Sequence, residues 1–143
     1  MVEHKLFLKW LFINVVYLLA LVVGAIAYNG KVEAPGKLAI ALVLGVYVLA
    51  TLHAGYLAWV LGVQHEDGHP FIRKGLRHTS FAIELAPKLA MLGTVGGFLI
   101  AFSSSAGDVQ QRVIGASTGL AATFVGISAM VVLEVIRHVI ETE

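Results

Sequence analysis

Residues 86–102 read Ala86-Pro87-Lys88-Leu89-Ala90-Met91-Leu92-Gly93-Thr94-Val95-Gly96-Gly97-Phe98-Leu99-Ile100-Ala101-Phe102. The run from Leu89 onward is apolar enough to sit in lipid, yet the stretch holds a proline, three glycines and one threonine. A helix that only had to cross a bilayer needs none of these. Small residues let a second backbone approach closely, and a hydroxyl at mid-depth supplies one polar contact between helices. The pattern predicts a membrane helix with a face built to line a pore or bind a partner.

Working outward, three more stretches have the same character: Trp10 to Gly30, Leu38 to His65 and Val113 to Leu133, with the first extending on from Leu89 to Gly107. Each approaches or exceeds the ~20 residues that cross ~30 Å of hydrocarbon. The chain is 58% hydrophobic and 13% charged, whereas soluble domains carry roughly 25% charged residues. The expected fold is an all-α membrane protein with four transmembrane helices, at about 10–28, 37–63, 78–103 and 110–140, in a single transmembrane domain covering 1–143. Ala25-Ile26-Ala27 has the form of a signal-peptidase site, but the apolar run before it is longer than the ~7–15 residues of a signal h-region. The first helix is therefore expected to be retained. The chain has no cysteine, which excludes disulfides, thiolate metal sites and thiol nucleophiles. Its net charge of +1 gives no basis for binding nucleic acid.

Cations set the expected orientation. Lys5, Lys9, Arg73, Lys74, Arg77 and Arg137 fall on one side, against Lys31, Lys37 and Arg112 on the other. The positive-inside rule makes both termini and the second loop cytoplasmic. The turn between helices 3 and 4 is short, so these helices are expected to form an antiparallel hairpin. If it centres near Gly107, Thr94 lies ~20 Å and Thr123 ~24 Å along their helices from it, both close to mid-membrane. Gly115, Gly119, Thr123 and Gly126 make one small face on helix 4, and Gly93 and Gly97 flank the Pro87–Thr94–Phe98 stripe on helix 3.

These residues resemble the MotA/TolQ/ExbB proton-channel family. Its penultimate helix reads Ala-Pro, then Leu-Gly-Thr-Val-x-Gly, then Phe. Here Ala86-Pro87 is followed by Leu92-Gly93-Thr94-Val95-Gly96-Gly97 and Phe102. Gly119-Leu120-Ala121-Ala122-Thr123-Phe124-Val125-Gly126-Ile127 is similar to the Gly-Thr-Phe-Leu-Gly pattern of the flagellar-stator branch. The likeness covers Glu84 to Arg137. Ser117-Thr118-Gly119-Leu120 only approaches the Thr-Ala-x-Gly-Leu of the TolQ/ExbB branch, which leaves Thr118 or Thr123 as the second lining hydroxyl, with Thr123 favoured. The family's flagellar members carry a large domain between helices 2 and 3, and this chain has only Gln64 to Arg77 there, so direct torque on a large cytoplasmic rotor is not expected.

The resemblance implies a bacterial inner-membrane homopentamer, a ring around two copies of a single-span partner of the MotB/ExbD/TolR kind bearing an essential Asp. The subunit would conduct protons in a motor driven by the proton motive force. Thr94, Thr123 or Thr118, and Pro87 would line the path, while Gly93, Gly97, Gly115, Gly119 and Gly126 pack the helices. No carboxylate of this chain falls near mid-membrane, in keeping with an acid supplied by the partner. Neither catalysis nor a cofactor or bound metal is implied.

Other residues are read more plainly. Glu84 and Lys88 have the spacing of a structural ion pair. His53, mid-span in helix 2 near Thr51, is expected to be a hydrogen-bonded packing residue. The alternative function is a membrane haem or quinone electron carrier using His53, but a bis-histidine haem needs a second ligand at matching depth, and His78 and His138 are expected near helix ends. His65-Glu66-Asp67-Gly68-His69 spells a zinc-protease motif, which works only on a continuous helix with a third ligand. Gly68 and Pro70 disfavour that helix, so a solvated loop is expected.

Overall fold

The computed structural model describes residues 4–28, 32–63, 69–103 and 108–142. They form four helices, α1 (Lys5–Ala27), α2 (Ala34–Val63), α3 (His69–Ser103) and α4 (Val109–Glu141), with no strand among the described residues. Each contains a segment long and apolar enough to cross a membrane: Lys5–Ala27, Ala34–Val60, Gly75–Ser103 and Val109–Glu141. The protein is a multi-pass membrane protein.

The helices overrun the apolar stretches. Helix α1 begins at Lys5 rather than near Trp10, and α3 at His69 rather than near His78. Charged and polar residues end a hydrophobic run, but they do not end a helix, since Lys, Arg and Glu are good helix formers. Pro35 and Pro70 stand in the first turns of α2 and α3, where a proline loses no intrahelical bond. At the other junction Asp108 caps α4, its Oδ1 accepting from the Gln111 amide at 3.1 Å.

Helices α2, α3 and α4 form the core, and α1 touches only α2 and α4 among the described residues. At mid-depth Val43, Tyr47 and Ala50 of α2 meet Ala82, Ala86 and Ala90 of α3 and Ala129 and Leu133 of α4. Toward the chain termini, Leu6, Ala54, Ala58, Leu76, Ile136 and Ile140 make a second cluster. That end therefore gathers the start of α1, the end of α2, the start of α3 and the end of α4. Alanine dominates the α3 contacts because lipid supplies no hydrophobic drive between helices. Close backbone approach and dispersion replace it.

Helix α1 is held differently. Its buried residues are Leu6, Asn14 and Tyr17, two of them polar. Asn14 Oδ1 accepts from Tyr47 OH at 2.6 Å and from Thr51 Oγ1 at 2.8 Å, and Trp10 Nε1 donates to Thr51 at 3.2 Å. Tyr17 OH is 2.8 Å from Ser128 Oγ on α4, and its ring stands edge-on to Tyr47. At the far end Tyr28 OH donates to the Ser117 carbonyl at 2.6 Å. Hydrogen bonds anchor a helix whose outer face is otherwise bulky and aliphatic.

Candidate functional site

The α3–α4 seam is built by glycine. A Cβ on Gly97 would stand 2.5 Å from the Gly115 carbonyl oxygen and 2.6 Å from the Gly119 nitrogen. One on Gly115 would stand 2.5 Å from the Gly97 carbonyl oxygen. These are backbone atoms that cannot swing aside, so the two chains pass at a distance only glycine permits. Gly93 faces Ala122 and Ala39, where three helices converge, and Gly126 faces Ala90. Gly119 is looser, with its nearest neighbour, the Thr94 carbonyl oxygen, at 3.4 Å. Residue numbers fall along α3 as they rise along α4, from Gly97 against Gly115 down to Ser80, whose Oγ accepts from Arg137 at 3.3 Å.

In the middle of this seam Thr94 Oγ1 and Thr123 Oγ1 are 2.7 Å apart. Thr123 also donates to its own Gly119 carbonyl at 2.9 Å, and the Ala90 carbonyl lies 3.1 Å from Thr94 Oγ1. Two hydroxyls own two protons. One joins the pair and the other goes to a carbonyl, so what remains on offer is lone pairs. Both threonines are half-exposed on the outer side of the seam. As arranged, the pair is an acceptor for a proton donor such as water or a protonated carboxylic acid. Redirecting one hydroxyl from its carbonyl turns it into a donor.

Around it, Pro87, also half-exposed, lies on the Thr94 stripe two turns toward the α3 start. Thr118 stands elsewhere. It is fully buried against α2, donates to the Ile114 carbonyl at 2.8 Å and accepts from the Glu33 amide at 2.9 Å. Its hydroxyl fastens the start of α2 to α4 and does not join the Thr94–Thr123 pair. Glu84 and Lys88 do not close the expected ion pair, although both are exposed. Among the described residues, no group of three His, Cys, Asp or Glu side chains is placed to hold a metal. The motif at 65–69 lies almost wholly outside the described residues, and only His69, at the start of α3, falls within them.

His53 does have a companion. Because α3 starts early, His78 lies well inside it, and the two imidazoles meet edge-to-face with centroids 5.2 Å apart. The expected hydrogen bond to His53 is not made: its Nε2 is buried with no partner. The rings touch directly, whereas axial haem ligands have a porphyrin between them. Sequence reasoning also passed over Asn14, Tyr17, Tyr47 and Ser128. The available signal was Asn14 itself, the one carboxamide inside the apolar body of α1.

Fold and site define a four-helix multi-pass membrane protein with a hydroxyl pair in a glycine-packed seam. The chain matches no family model, no curated protein and no solved structure.

Proposed function

We propose that this chain is the proton-channel subunit of a membrane motor driven by the proton motive force. Five copies form a ring in a bacterial inner membrane, with both termini cytoplasmic, around two copies of a single-span partner that carries an Asp near its start. Helices α3 and α4 serve as an antiparallel pore-lining hairpin. The observation that carries this reading is the 2.7 Å Thr94–Thr123 contact at mid-seam, in the residues that bear the likeness to the MotA/TolQ/ExbB family.

The chemistry follows from what the chain has and lacks. An ionisable group at depth is expensive and marks an ion path, yet the carboxylates within the spans of α3 and α4, Glu84, Glu134 and Glu141, all lie toward the terminus-bearing end. The acid that exchanges protons must then come from the partner. In its protonated form that acid donates to a lone pair of Thr94 or Thr123. After it releases the proton, a redirected threonine hydroxyl donates to the carboxylate. The pair thus receives both forms of the acid, and alternation between them couples proton passage to rotation of the ring.

The test is Thr94→Val with Thr123→Val in the assembled complex, which keeps the shape and removes both hydroxyls. Proton flux should fall by at least about tenfold, the effect of ~1.4 kcal/mol on a barrier. Unchanged flux refutes the assignment. The alternative, a haem or quinone carrier using His53, would need the His53 and His78 rings, which now touch directly, to part and admit a porphyrin in its haem form. A Soret band in the purified protein would establish the haem form.

A further inference from the structure

The spans of α3 and α4 carry charges that find no partner among the described residues. Glu84 and Lys88 have the favourable i, i+4 order but do not pair. Glu134 on α4 is likewise exposed, and among the described residues it has neither a hydrogen-bond nor an ion-pair partner. Charges at membrane depth are normally paired, with one another or with backbone carbonyls. Lys88 occupies the flank of α3 opposite the Ala90–Gly97–Ala101 side that meets α4, together with exposed Leu92, Val95 and Leu99. Glu134 shares the outer face of α4 with exposed Phe124, Val131 and Val135.

Depth and lean match the two charges, and the separate faces they occupy leave the contact to neighbouring copies. The Thr94–Thr123 and Ser80–Arg137 bonds set the register. They place Lys88 about five residues, or ~7–8 Å, farther than Glu134 from the terminus-bearing end. Side chains on a helix lean toward its N-terminus. Lys88 therefore leans toward that end, where α3 begins, and Glu134 leans away from it, toward Lys88. Rotation about an axis along the bilayer normal preserves depth, so the offset closes equally well between neighbouring copies. The two surfaces differ, which makes the contact head-to-tail and able to close a ring.

We propose that the outer flank of α3 packs on the outer face of α4 of a second copy, with Lys88 of one copy paired to Glu134 of the next. This rests on the ring in the reading above and adds the surface that builds it.

The chain has no native cysteine, so the full chain bearing K88C and E134C can be treated in vesicles with a bifunctional thiol-reactive crosslinker longer than the ~7 Å Cα separation a disulfide can close. The expected result is a ladder of cross-linked multimers, with each single-cysteine variant stopping at dimer. In native mass spectrometry K88E and E134K should each lower the oligomer fraction by about tenfold, and the double reversal should restore it. A stable oligomer with neither ladder nor rescue overturns this contact and leaves the ring standing. A wild-type chain that is monomeric throughout overturns both.

Discussion

Replacing Gly97 with alanine tests the seam most directly. The new Cβ would lie 2.5 Å from one backbone atom of α4 and 2.6 Å from another. Ordinary contact needs ~3.5 Å, so the helices must part by about 1 Å. The Thr94–Thr123 bond, one turn away at 2.7 Å, would stretch past hydrogen-bond range. Overpacking costs about 1–3 kcal/mol and the lost bond about 0.6 kcal/mol, while the better helix propensity of alanine returns at most about 1 kcal/mol. Gly97→Ala should therefore destabilise by about 1–3 kcal/mol. Gly119→Ala is the internal contrast. It looks the same in the sequence, but its Cβ would meet the Thr94 carbonyl oxygen at 3.4 Å, an ordinary contact, so the expected change is between zero and a slight gain. Both are measured by titrating purified protein in mixed micelles with dodecyl sulfate and following helicity. Equal effects, or a neutral Gly97→Ala, would refute a seam closed at Gly97 and open at Gly119.

The remaining expectations are narrower. Asn14→Leu strands the donors Tyr47 OH and Thr51 Oγ1 and should cost about 1–2 kcal/mol in the same titration, with α1 becoming protease-sensitive before the other helices. Thr118→Val removes the acceptor of the Glu33 amide. Hydrogen exchange there should speed up about fivefold, the factor for ~1 kcal/mol, with α3 unchanged. Gly45→Ala, where a Cβ meets nothing within 4 Å, should be neutral or stabilising by up to about 1 kcal/mol by the same titration, and a loss would mean that this face is covered.

Transmembrane helices are legible in a sequence because lipid is a uniform solvent that selects by length and polarity alone. The four apolar runs therefore yield four spans, and Leu92-Gly93-Thr94 marks a helix meant for close company. Which hydroxyls meet depends on helix rotation and register, and no single helix encodes those. Thr118 and Thr123 are both candidates on paper, with Thr123 favoured by the resemblance alone, and it is their rotation around α4 that sends one to the Glu33 amide and the other to Thr94. Likewise the start of α3 at His69 carries His78 inward to His53, a shift invisible to a hydropathy count because charged residues extend a helix as readily as apolar ones. The chain alone determined that it crosses the membrane four times. Only the packing of α3 on α4 decided which threonines form a pair and which charges on those helices are left facing outward.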